Sequence, residues 1–152
     1  MLLQLIGTQL AKYLTKEHIY DDHYFKISID DIKSALEPGD VVLIEGQSRV
    51  SSAIQFITNS NWSHAAIFIG KAGSLSHCLI EVKAVDGCKF TDIDVYMHHN
   101  LRICRPVFLN NRKIKIIIDY FKKKIGLKYD LKNIIDLMRY IFPKPPVPKK
   151  LR

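Results

Sequence analysis

His64 and Glu81 are the two side chains whose types and spacing suit acid–base chemistry. His64 follows the polar break Asn59-Ser60-Asn61 and stands at the start of an apolar run that ends at Gly70. With the two-residue period of a strand, His64, Ala66 and Phe68 share one face, and Ala65, Ile67 and Ile69 share the other. Both faces are apolar, which predicts a strand buried on both sides. A titratable ring at the rim of such a strand, flanked by small alanines, suits a general acid or base. A neutral, hydrogen-bonded core histidine explains it as well, and the strand alone favours that second reading. Glu81 alters the balance. If the next apolar run, residues 78–83, pairs antiparallel with Ile69 facing Ser76 or Cys78, Glu81 falls opposite or diagonal to His64 on the same face. A carboxylate that accepts from one ring nitrogen fixes the tautomer and raises the basicity of the other nitrogen. That is two thirds of a nucleophile–base–orienter triad; a structural His–Glu pair is the alternative.

The other reactive residue types form no comparable group. Cys78, Cys88 and Cys104 are odd in number and lack C-x-x-C spacing, so they are neither a disulfide framework nor a zinc site. Cys78 and Cys104 sit in strand-like runs and read as inert buried thiols, which suits a reducing, cytoplasmic setting. Cys88, in Asp86-Gly87-Cys88-Lys89, reads as a loop thiol beside a lysine able to lower its pKa, and is the fallback nucleophile. Ser51, Ser52 and Ser63 lack a base of their own. His77, His98 and His99 match no metal-ligand pattern, and no glycine-rich phosphate loop is present. No metal and no cofactor are expected.

The elements that must position His64 and Glu81 belong to one domain. A chain of 152 residues, 47% hydrophobic and 25% charged, can bury a single core. Its net charge of +8 is concentrated in the last third of the chain. Such a surface favours anionic membranes or nucleic acid, with a solvated helix face the preferred reading. No nucleic-acid module is recognisable, so nucleic acid is not an expected partner. Leu3, Ile6, Leu10 and Tyr13 predict an amphipathic helix over 2–15 that packs on the domain or rests weakly on an anionic bilayer. It lacks the features of a signal peptide, and polar residues interrupt it too often for a membrane span.

A connector at 16–27 leads to a short helix whose start, Ser28 with Asp31, resembles a capping box. Pro38-Gly39-Asp40 is a turn before a strand over 41–45. Ser48 caps a helix over 50–58 that buries Val50, Ile54 and Ile57. The central strand runs to Gly70, a loop spans 71–74, and a strand over 78–83 completes the hairpin. Asp86-Gly87 is a turn, 92–97 a short helical turn, and 101–107 a further strand. Ile114, Ile117, Ile118, Phe121 and Ile125 define an amphipathic helix closed by Gly126. Asp130 caps another helix, to about 142, before a run of prolines. The pattern is α+β, a small antiparallel sheet flanked by helices. The expected organisation is an N-terminal helix and connector (1–27), the main domain (28–142) and a proline- and lysine-rich tail (143–152).

Several blocks, in order, carry a family resemblance. Leu36-Glu37-Pro38-Gly39-Asp40-Val41-Val42-Leu43 resembles the opening strand of the circularly permuted NlpC-type papain-like proteins. The branch is YiiX-like and related to lecithin:retinol acyltransferase-like enzymes. Trp62-Ser63-His64-Ala65-Ala66-Ile67 is similar to its catalytic-histidine strand, and Leu79-Ile80-Glu81 to the strand of its third residue. Arg102-Ile103-Cys104-Arg105-Pro106 and Lys128-Tyr129-Asp130-Leu131-Lys132-Asn133 resemble its later blocks. The resemblance implies a permuted papain-like fold and a cysteine hydrolase or acyltransferase acting on a peptide, amide or lipid acyl substrate. It implies His64 as base, Glu81 as orienter and Tyr129 on the substrate groove. In that family the nucleophilic cysteine follows the tyrosine–aspartate helix, and here no cysteine follows Tyr129. The expectation is therefore a chain truncated before its nucleophile and inactive as it stands. The alternative is a binding or membrane-associated domain that keeps the fold without the thiol.

Overall fold

The computed structural model describes residues 28–128 together with Tyr13 and Lys16. Apart from those two residues, the helix expected over 2–15, the connector, Tyr129, the helix capped by Asp130 and the proline-rich tail lie outside the described residues.

Ser28 caps α1 (Ile29–Ala35), its hydroxyl accepting from the Asp30 amide at 3.3 Å, not from Asp31 as a capping box would require. The Pro38-Gly39-Asp40 turn feeds β1 (Val41–Ile44). Ser48 caps α2 (Arg49–Thr58) by accepting from the Ser51 amide at 3.1 Å. Then come β2 (His64–Ala72), β3 (Leu75–Lys83), β4 (Gly87–Asp92), a 3-10 helix (Ile93–Tyr96) and β5 (Leu101–Cys104). Asn110 caps the last described helix, α3 (Asn111–Lys122). The strands form one sheet in the order β4-β3-β2-β1-β5, and each neighbouring pair is antiparallel. The architecture is α+β.

The sheet is packed on both faces, which is why β2 reads as apolar throughout. On one face Val42, Ile44, Ala66, Phe68 and Leu79 meet Ile32 of α1 and Ile93 and Tyr96 of the 3-10 helix. On the other, Ile67, Ile69, Cys78, Ile80 and Cys88 meet Ile118 of α3, with Ile114, Ile117 and Phe121 packed alongside. Glu81 belongs to the first face, because it lies two residues from Leu79 on the same strand.

Several expectations need correction. The hairpin loop is only Gly73-Ser74, with β2 running on to Ala72 and β3 starting at Leu75. Gly73, at φ 57°, supplies the left-handed conformation so short a turn needs. The segment after Asp86-Gly87, read as a loop, is the edge strand β4, so Cys88 is a strand residue. The expected strand over 101–107 stops at Cys104. There the Arg105 guanidinium turns away to both oxygens of the buried Asp40, each at 2.9 Å, and to Glu37 at 2.7 Å. Pro106 has no amide with which to extend the ladder.

The expected buried face of α2 does not form: none of its residues is buried, and Phe56 is 86% exposed. Polar contacts hold that helix instead. The Gln55 side chain donates to the carbonyls of Gly46 at 3.2 Å and Asn61 at 2.8 Å.

After α3 the chain returns to the sheet. Gly126 N donates to Cys88 O and Cys88 N to Leu127 O, both at 2.8 Å, so this segment satisfies part of the open edge of β4. Among the described residues no helix is long and apolar enough to cross a membrane.

Candidate active site

His64 is the first residue of β2, and its neighbourhood is held by polar contacts. Ser63 N donates to Ile44 O at 3.2 Å, and Ser63 Oγ accepts from Gly46 N at 3.1 Å. This fixes the entry to the strand just before the ring. Ala66 faces Glu81 across the β2–β3 ladder, so His64 is diagonal to Glu81. Of the two registers that the sequence allowed, this is the one with Ile69 nearer Cys78. The diagonal offset brings His64 Nε2 to 2.8 Å from Glu81 Oε2. The histidine side chain keeps 25% of its surface exposed, whereas the glutamate side chain keeps 0%.

Glu81 is therefore a fully buried carboxylate, and the fold surrounds it with donors. Thr91 Oγ1 of β4 donates to Oε1 at 2.5 Å. The Tyr96 hydroxyl of the 3-10 helix donates to Oε2, the oxygen that His64 also contacts. Lys83 Nζ stands 3.6 Å from Oε1 and 5.2 Å from the centroid of the Tyr96 ring. Burial pushes the Glu81 carboxyl upward. The hydrogen bonds from His64, Thr91 and Tyr96 and the charge of Lys83 outweigh it and hold the group at about 2, against an ordinary 4.5. An ionised carboxylate only accepts, so in the neutral imidazole Nε2 carries the proton and Nδ1 keeps the basic lone pair. Nδ1 is thus the nitrogen able to take a proton from an incoming nucleophile.

The cysteines stand apart from this pair. Cys78 and Cys88 belong to the apolar cluster on the α3 face of the sheet. Cys104 pairs with Val41, Val41 with Ile67 and Ile67 with Ile80, which sets Cys104 on that same face. All three thiols are therefore across the sheet from His64. The expectation of a low-pKa loop thiol at Cys88 is overturned: the residue is 4% exposed, and burial pushes its thiol up. Its lysine neighbour is engaged elsewhere, Lys89 Nζ lying 2.6 Å from Asp86 Oδ2. Burial raises the Cys78 thiol too. Among the described residues no group of three or more His, Cys, Asp or Glu side chains converges as metal ligands would.

Thr91 and Tyr96 were not legible as members of the site. Both follow from β4. Had 87–92 been read as the third strand of a meander, Thr91 would have fallen on the Glu81 face by parity, and the 3-10 helix would have followed directly behind it.

Residues 35–142, well over half of the chain, match the family model of the permuted papain-like amidase enzymes, YaeF/YiiX, C92 family. No curated protein matches the chain. The matched region contains the whole described sheet, His64 and Glu81 included, and the antiparallel α+β architecture is consistent with a papain-like fold. The chain belongs to the permuted papain-like amidase family, YaeF/YiiX, C92.

Proposed function

We propose that His64 and Glu81 are the base and the orienter of a cysteine amidase site, and that the nucleophilic thiol is none of Cys78, Cys88 and Cys104. The observation that carries this reading is the partly exposed His64 ring held by Nε2 against a buried, ionised Glu81, so that Nδ1 is the available base. The substrate class is a peptide or other amide, with a lipid acyl ester as the related chemistry. In the proposed reaction the thiol proton passes to His64 Nδ1 and the thiolate adds to the carbonyl carbon. Backbone amides beside the thiol hold the oxyanion. The imidazolium returns its proton to the leaving amine, and a thioester remains. Water, deprotonated by Nδ1, then releases the carboxylic acid and regenerates the thiol. Glu81 stays ionised throughout and stabilises the imidazolium. Tyr129 lines the substrate groove in this proposal.

A thiol-directed activity probe tests it, applied to the 152 residues alone and to the chain with any coding sequence that follows. We expect labelling only when a further cysteine is present. His64→Ala should abolish that labelling, and Glu81→Ala should weaken it less, since the carboxylate acts through the ring. His64-dependent labelling of Cys88 in the short chain would overturn the assignment.

The placement of all three cysteines across the sheet favours one other reading, a binding domain that keeps the fold without the thiol. Absence of labelling in every form of the chain would select it. A cytoplasmic location, favoured by the free thiols of Cys78, Cys88 and Cys104, remains part of the proposal. So does weak, reversible attachment to anionic bilayers, supported by the exposed Lys113, Lys115, Lys122 and Lys123 of the α3 region. Vesicle co-sedimentation that does not weaken as salt rises would remove the membrane element.

A further inference from the structure

We propose that Tyr96 and Thr91 are positioning residues for His64, acting through Glu81: together they fix the plane of the carboxylate and keep it ionised. This rests on His64 being the base. Three elements converge on one carboxyl group. Thr91 of β4 holds Oε1, while Tyr96 of the 3-10 helix and His64 of β2 share Oε2.

The anchoring of these donors is rigid. Thr91 faces Leu79 in the β3–β4 ladder, diagonal to Glu81, which itself faces Lys89. Tyr96 is 3% exposed and stands one turn after the fully buried Ile93. Asp92 caps that turn by accepting from the Asp94 amide at 3.1 Å. The Thr91 hydroxyl is thus placed by the β3–β4 ladder and the Tyr96 hydroxyl by the buried 3-10 helix, whose Tyr96 ring also lies 6.3 Å, centroid to centroid, from the His64 ring.

A buried carboxylate with one donor has two ways to fail. It can rotate about its terminal bond, which uncouples the histidine ring from the sheet. It can also become basic enough to hold the ring proton itself, because burial penalises the charged form. A hydroxyl on each oxygen opposes both. The ring is then left with Nε2–H held on the carboxylate and the lone pair on Nδ1. The charged and titratable groups facing the carboxylate are His64 from β2, Lys83 from its own strand and Tyr96 from the 3-10 helix, with the neutral Thr91 from β4. Lys89 of β4 is the ladder partner of Glu81, but its Nζ is held 2.6 Å from Asp86 Oδ2. Lys83 Nζ, beyond hydrogen-bond distance at 3.6 Å, supplies charge without fixing the plane.

Solution NMR of the 152-residue protein tests the proposal without any nucleophile. Two signals are followed: the downfield imidazole N–H of His64, and the side-chain carboxyl carbon of Glu81 through an acid titration. In the parent the N–H should be protected from exchange and the carboxyl should titrate near 2. Tyr96→Phe and Thr91→Val each keep the packing shape and remove one donor. Each should broaden or abolish the N–H signal and move the Glu81 midpoint up by about one pH unit. Thr91→Ser, which restores a hydroxyl, should return both signals toward the parent. Folded variants with unchanged N–H protection and an unchanged Glu81 midpoint would overturn the proposal, even if their melting temperatures fell. If Tyr96→Phe does not fold, the Thr91→Val and Thr91→Ser pair decides the matter through the other oxygen. Because neither readout needs a thiol, absence of probe labelling in every form of the chain, with these shifts present, would remove the amidase reading and leave Tyr96 and Thr91 as the groups that hold Glu81 and, through it, the His64 ring.

Discussion

Glu81 shows how a single buried charge can be a source of stability. A carboxylate at 2% exposure is costly unless its lone pairs are met, and here two hydroxyls and an imidazole N–H meet them. Its folded-state pKa, about 2, lies below the ordinary 4.5. The resulting stability is fully present above the unfolded value and is lost as pH falls through the folded one. The shift corresponds to a stabilisation on the order of 3 kcal/mol at neutral pH. Acid unfolding followed by circular dichroism, parent against Glu81→Gln, should show a stability difference that is constant near neutrality and shrinks between about 4.5 and about 2. A difference that stays the same across that window would mean that the carboxylate charge contributes nothing.

Among the elements, β4 has the largest consequences for the site. It supplies Thr91, launches the 3-10 helix that carries Tyr96, and receives the chain returning from α3 at Gly126 and Leu127. The junction depends on Gly87. Its φ is 75°, and a Cβ there would lie 2.2 Å from Leu127 O. Gly87→Ala therefore meets both an unfavourable backbone region and a carbonyl that cannot move without breaking the Cys88–Leu127 hydrogen bond. We expect a destabilisation of at least about 1–2 kcal/mol, with faster amide exchange at Cys88 and Gly126 than in α1. Hydrogen exchange that accelerates equally everywhere would show that this edge is not a local contact. At the opposite edge, Arg105 performs a similar joining task, tying the end of β5 to the α1–β1 turn through Asp40, Glu37 and the Ala35 carbonyl.

At the scale of the whole molecule, the sheet acts as a partition. The His64–Glu81 pair is on the α1 side, and every cysteine is on the α3 side. Burial and raised pKa should make Cys78 and Cys88 poor nucleophiles in the folded protein. Alkylation with iodoacetamide at neutral pH, read residue by residue by mass spectrometry, should modify these two only on unfolding. Rapid native-state modification of Cys88, slowed by His64→Ala, would place a thiol on the wrong side of this partition.

Local pattern alone determined several parts of this protein. The alternating apolar run after His64 predicts a doubly buried strand, because side-chain parity is a property of the backbone itself. Ser28, Ser48 and the spacing of Ile114, Ile117, Ile118 and Phe121 mark helices by capping and periodicity. The shared parity of His64 and Glu81 was likewise legible once a hairpin was assumed. Tertiary structure decided what parity cannot. The diagonal register that brings Nε2 to 2.8 Å from the carboxylate depends on the length of the Gly73-Ser74 turn and on the irregularity in the ladder near Gly70. The edge strand β4 was missed because its short run, Gly-Cys-Lys-Phe-Thr-Asp, lacks a continuous apolar signal. Pairing with β3 and with the returning chain stabilises it instead. Thr91, Tyr96 and the burial of Cys88 all depend on that long-range pairing. No local signal could supply them, because the groups that satisfy Glu81 come from separate elements and meet only when the sheet is complete.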